Sequence, residues 1–188
     1  MPQEPWKSWK SVADELARRA VNPVARRRPP HGPQPQILRE PDLASIRVLS
    51  ERGAGDRCAV ALTVNDATGE RYLIIRELVS DLEEDGDWRS CSGSEGQDRV
   101  IPGKPDPYVS LYAYADGHFF AGGRVQSAST DLTRVRVRWD DGYALEDEIQ
   151  NGIALFFGAR DALEPATVEF LDPAGRVVGA HVTFIDEP

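Results

Sequence analysis

Asp-Gly and Asn-Gly corners recur along this chain, and the runs between them are mostly too short for anything but strands. Asp66-Ala67-Thr68-Gly69, Asp116-Gly117, Asp140-Asp141-Gly142, Asn151-Gly152 and Asp172-Pro173-Ala174-Gly175 mark these corners. In such corners an Asx side chain bonds back to nearby backbone, and glycine takes a positive φ without steric cost. The stretches 57–65, 71–79, 108–114, 118–125, 132–139, 143–149, 153–157, 167–171 and 176–184 then read as strands joined by hairpins. The expected fold is mainly β, an antiparallel β-sandwich or small barrel of about ten strands with a short N-terminal helix. One stretch is ambiguous. Tyr72, Ile75, Val79 and Leu82 also fit a helical period, but the preceding turn and the β-branched residues favour a strand.

The hairpin over 132–149 carries enough pattern to fix a register. Val135, Val137 and Trp139 alternate with Arg134, Arg136 and Arg138, so the first set faces a core and the second faces water. A three-residue loop at 140–142, with Gly142 left-handed, pairs Trp139 with Tyr143 and Val137 with Leu145. It also sets Arg136 against Glu146 and Arg134 against Glu148. In that register Asp147 turns inward and must find donors, or the strand must bulge or end there.

Ahead of the β region, 44–188, lie an amphipathic arm, 1–25, and a basic, proline-rich linker, 26–43. Ser11 can cap a short helix with Asp14 at the capping-box position, and Pro23 closes it. Trp9, Val12, Ala13, Leu16, Ala17 and Ala20 recur at helical spacing as one apolar stripe. Residues 26–35 (RRRPPHGPQP) hold no core-forming side chain and read as polyproline-like. Charge divides along the same boundary. Residues 1–40 carry eight basic and four acidic side chains, a net +4, while the rest of the chain is −13. An acidic body repels phosphates, which argues against nucleic acid lying on the β domain.

Trp6 and Trp9 stand out, because each buries roughly 150–250 Å² when packed. Together with Leu16 they suit an anchor for a protein partner or a second copy, or they fold back on the chain's own sheet. Arg26, Arg27 and Arg28 suit a weak contact with an anionic surface.

Signals for chemistry are sparse. Ser92-Gly93-Ser94-Glu95-Gly96 has Ser where a nucleophile elbow needs Gly, and it reads as a glycine-rich loop. Residues 81–87 (DLEEDGD) partly match a calcium loop but lack the closing carboxylate at Ser92, so a solvated acidic loop is expected. His31, His118 and His181 have no metal-ligand spacing, and a His118–Asp116 pair flanks a turn glycine. Cys58 and Cys91 are too few for a disulfide framework. Neither a metal nor a cofactor is expected. No apolar run approaches the ~20 residues of a membrane span, and the first thirty residues lack a signal-peptide core, so a cytoplasmic protein is expected.

The segments AGGRV (121–125), RVRVRWDDG (134–142), LEDEIQNGIALFF (145–157) and VEFLDPAGRVVG (168–179), with Trp88, Gly93 and Gly96 upstream, resemble an uncharacterised group of actinobacterial β proteins. The resemblance covers roughly residues 55–184 and rests mostly on turn and core signals. It implies a β fold and a bacterial origin and assigns no functional residue.

Two functions follow as expectations. The first is a non-catalytic β-sandwich interaction module docking through its arm, with Trp6, Trp9, Leu16 and Arg26–Arg28 as the contact residues. The alternative is a hydrolase or small-ligand binder with its site in the loops around Gly93, Lys104 and His118. A deep polar pocket between those loops would favour the alternative.

Overall fold

The structure, a computed structural model, describes residues 41–54, 57–80, 88–115, 118–128, 131–158 and 166–183. The expected N-terminal helix and the 81–87 acidic loop lie outside these residues. Within them the chain is all strand and turn: β1 (Pro41–Ala54), β2 (Arg57–Asp66), β3 (Arg71–Ser80), β4 (Trp88–Gln97), β5 (Tyr108–Ala115), β6 (Phe119–Gln126), β7 (Arg134–Arg138), β8 (Ala144–Glu148), β9 (Ile153–Gly158), β10 (Ala166–Leu171) and β11 (Val177–Thr183).

These strands form three antiparallel sheets, none closed into a barrel. The first is the meander β1-β2-β3-β4, the second is β5-β6-β9, and the third runs β11-β10-β7-β8. The ambiguous 71–79 stretch is a strand, β3, paired along its length with β2.

Three corners share one geometry. Gly69 N–H donates to the Asp66 carbonyl, Gly142 N–H to that of Trp139, and Gly175 N–H to that of Asp172. All three glycines have φ between 79° and 87°, as a three-residue loop requires. Asp66 and Asp172 strengthen theirs by accepting further backbone N–H groups, from Thr68 and Glu70 and from Arg176. The β7–β8 register follows, with Val137 opposite Leu145, Arg136 opposite Glu146 and Arg134 opposite Glu148.

The core has three parts. Val135, Val137, Trp139, Val168 and Phe170 of the third sheet pack on Val109, Phe119, Ala121 and Phe156 of the second. Phe120, Ile153 and Leu155, on the opposite face of the second sheet, pack on Ala59, Ala61 and Ile75 of the first. The second sheet is therefore an inner layer, buried on both faces. The third part is Cys58, Val60, Leu62, Val64, Tyr72, Ile74 and Leu78, on the far face of the first sheet.

Asp147 turns inward and finds two donors. Arg52 Nε lies 2.6 Å from its Oδ1, and Leu155 N–H donates to its Oδ2 at 2.9 Å. Arg52 also reaches the Glu148 carbonyl and the Gln150 side chain, so β1 is stapled to the β8–β9 corner.

The stretch expected as a glycine-rich loop at 92–96 is instead part of β4, with a register shift opposite Glu77 and Leu78. Its Ser and Gly content argues against a strand, but pairing with β3 outweighs propensity. Gly93 makes this possible. Its φ is 145°, and a Cβ there would lie 2.1 Å from the Ile75 carbonyl oxygen.

Candidate functional site

The far face of the first sheet is the least ordinary surface in the molecule. Val60, Leu62, Val64 and Ile74 are 0% exposed there, and Cys58, Tyr72 and Leu78 are also buried. Among the described residues, only Leu43 and Ile46 of β1 add apolar packing on that side. β1 to β4 otherwise contact one another, the second sheet and, through Arg52, the β8–β9 corner, and no described strand stacks on this face. A sheet face cannot exclude water from these side chains by itself, so a cover is required. The face carries one described ion pair, between Arg76 and Glu95, both largely buried. Burial, helped by the nearby Glu51 charge, pushes the Cys58 thiol up to about 12. Cys58 is unbridged.

A second feature lies where the first and second sheets part. Ser94, Gly96 and Gln97 of β4, residues 98–102, and Leu111, Gly123, Arg124 and Gln126 of β5 and β6 surround a cleft of about 730 Å³. Asp98 and Arg124 close one side with Nε and Nη2 of the guanidinium 2.5 and 2.8 Å from the two carboxylate oxygens.

Third, Glu77 is wholly buried between the same sheets, with His118 Nε2 2.5 Å and Arg57 Nη1 2.8 Å from its Oε1. Each element contributes one member: Arg57 opens β2, Glu77 lies in β3, and His118 precedes β6. A buried carboxylate needs such donors, so the cluster satisfies a burial demand while tying two sheets together.

The expected site residues are scattered. Trp6, Trp9, Leu16, Arg26, Arg27 and Arg28 lie outside the described residues. His118 is held by Glu77, and Gly93 is next to Ser92, the β4 partner of Glu77. Lys104 lies elsewhere, its Nζ 5.1 Å from the centre of the Tyr108 ring, which stacks on His181. Tyr108 and Ala115 stand at opposite ends of β5, roughly 23 Å apart along the strand, and His118 follows the Ala115 end. The structure thus does not gather Gly93, Lys104 and His118 around one pocket. Ser94 and Glu95 sit in an antiparallel strand, not at a strand-to-helix corner, so the elbow geometry is missing as well.

Sequence reasoning missed Glu77, Arg57 and the Asp98–Arg124 pair. His118–Glu77 and Asp98–Arg124 join the first sheet to the second, Arg57 meets Glu77 only diagonally across the β2–β3 hairpin, and no local pattern marks them. The far face did leave a trace in the run CAVAL (58–62), which is apolar at both parities.

Among the described residues no helix is long and apolar enough to cross a membrane. Comparison of the chain with protein-family models, curated proteins and solved structures finds no match.

Proposed function

We propose that this protein is a non-catalytic interaction module that docks through its N-terminal arm. The docking surface is the far face of the β1–β4 sheet, on the same chain when closed and on a second copy when arms exchange. The observation behind this reading is the water-tight burial of Val60, Leu62, Val64 and Ile74 on a face that no described strand covers.

The stripe Trp9, Val12, Ala13, Leu16, Ala17 and Ala20 has the chemistry the face asks for, apolar and uncharged along one side. Trp6 extends it. Residues 21–40 would span up to roughly 70 Å if extended, enough to reach the face of either copy. Opposite net charges of arm and body favour their approach, with Arg26, Arg27 and Arg28 near the acidic body. Exchange of an identical element between copies is a low-cost route to a homodimer. A reducing cytoplasm suits the unbridged Cys58.

Alkylation of Cys58 tests the reading. In a Cys91→Ser background, the pair Trp9→Ser and Leu16→Ser should speed its alkylation on the order of tenfold or more, without loss of the β circular-dichroism signal. A synthetic peptide of residues 1–25, added to a chain lacking residues 1–36, should restore protection and bind. Labelling that stays slow in the double variant, with no binding of the peptide, sinks the proposal. A double variant that has lost its β signal would instead make the arm a structural part of the domain.

A further inference from the structure

We propose that the cleft between the first and second sheets binds a small, uncharged, largely apolar molecule. This site is separate from the arm's docking face, since the first sheet lies between them.

Its volume of about 730 Å³ falls within the roughly 300–1,000 Å³ of small-molecule sites. Leu73, Leu111 and Ile101 give the walls their apolar character. Three of the four charged residues on its lining already have partners: Asp98 holds Arg124, and Glu95 holds Arg76 on the other side of β4. Arg99, the fourth, is exposed to solvent, which screens its charge. A charged ligand that engaged Asp98, Arg124 or Glu95 would need to break a pair, whereas an uncharged one leaves both intact.

Polar contacts remain for orientation. Gln126 Oε1 accepts from the Ile101 N–H at 3.1 Å, which leaves the Gln126 amide hydrogens for a ligand oxygen. Ser94 adds a hydroxyl from the opposite wall.

Two glycines separate built space from loose packing. A Cβ on Gly122 would lie 2.7 Å from Leu155 Cδ2 and 2.8 Å from Ile75 Cγ2, so the two sheets close tightly beneath the cleft. A Cβ on Gly96 would meet nothing within 4 Å. The floor is closely packed while one wall stands free, as a receptive cleft requires.

Nile red, an uncharged apolar dye with hydrogen-bond acceptors, is the probe, used on the full chain. Saturable binding should shift the methyl resonances of Ile101, Leu111 and Leu73 and leave those of Leu62 and Ile74 in place. Gly96→Trp, which fills open space, should weaken binding at least about tenfold. Absence of binding, movement of the Leu62 and Ile74 methyls instead, or unchanged affinity in a folded Gly96→Trp variant would overturn the site. If that variant does not fold, the methyl map of the unsubstituted chain decides alone. Tighter binding of anionic anilinonaphthalene sulfonate at the same methyls would overturn the uncharged ligand class.

Discussion

In the β7–β8 hairpin every second side chain meets water, whereas β2 and β6 bury neighbours on both faces. Val135 and Val137 are 0% exposed while Arg134, Arg136 and Arg138 lie toward water and pair with the partly exposed Glu146 and the largely buried Glu169. In β6, Phe119 and Phe120 are consecutive and both 0% exposed, one facing each adjoining sheet. In β2, Ala59 and Ala61 face inward and Val60 and Leu62 face the other way, and all four are sealed. An alternating strand forms the outside of a layered protein, and a continuously apolar one forms a layer with something on each side. For β6 the coverings are the first and third sheets. For β2 one covering is the second sheet, and the other is what the arm is proposed to supply.

The sharpest way to break this contrast is an alanine scan across adjacent positions. Phe119→Ala and Phe120→Ala should each cost about 3–5 kcal/mol in urea unfolding, because both leave cavities in packed cores. At the end of β7 the neighbours should split. Trp139→Ala should cost about 3–5 kcal/mol, and Arg138→Ala less than about 1 kcal/mol. Equal costs at Trp139 and Arg138, or a cheap Phe120→Ala, would mean that the layers are not stacked as described.

Asp147 lies at the join of the two regimes. On β8 it has the parity of the valine face, yet it is a carboxylate, and it binds Arg52 of β1 and the Leu155 N–H. Asp147→Ala should cost about 1–3 kcal/mol, the range for leaving buried partners unpaired, reduced here because Arg52 is partly exposed. Asp147→Asn, which keeps an acceptor for Leu155, should lose less. If both substitutions are silent, β1 does not depend on the corner.

How much of this was legible follows from what each signal encodes. Turn chemistry and alternation are local, so the β7–β8 register and the inward carboxylate at Asp147 could be read from residues 134–148 alone, and each of the three glycine corners from its own few residues. The wetness of one face was legible for the same reason. Sheet count was not. FFAGG (119–123) and CAVAL (58–62) lose alternation because both their faces are buried, and that departure announces an inner layer only when it is read as a signal in its own right. β4 was illegible because its Ser-Gly composition resembles a loop, and only the β3 partner makes it a strand. The cleft joins β4 to β5 and β6, and Glu77 meets His118 across two sheets, so neither could be seen before the sheets were stacked.

His181 offers a smaller test, on the third sheet's inner side. Burial holds its imidazole below the usual histidine value, opposed by a contact to the Val109 backbone and aided by the Lys104 charge. A group depressed in this way takes up its proton more readily in the unfolded chain. Its contribution to stability is complete above the ordinary histidine value, near 6.5, and is lost as pH falls from there toward the lower folded value. His181→Phe, which keeps a ring between Tyr108 and Phe170, should flatten the melting temperature between pH 7.5 and 5.5 relative to the unsubstituted chain. An unchanged pH slope would mean that His181 protonates equally well in both states.

The smallest effect belongs to the wet face of the third sheet. Glu146 loses some solvation there, but bonds from Arg136 and the charge of Arg134 outweigh this and hold its carboxyl below the usual glutamate value. Its contribution is therefore complete above the unfolded glutamate value and fades as pH falls through the lower folded one. Both side chains of the Arg136–Glu146 pair are about 30% exposed, so solvent screens it strongly. Glu146→Gln should cost less than about 1 kcal/mol at low ionic strength, and less again in 1 M salt. A double-mutant cycle with Arg136→Gln measures the pair itself. A coupling energy as large as the cost of Phe120→Ala would place Glu146 in a dry environment, and the difference between alternating and continuously buried strands would lose its physical basis.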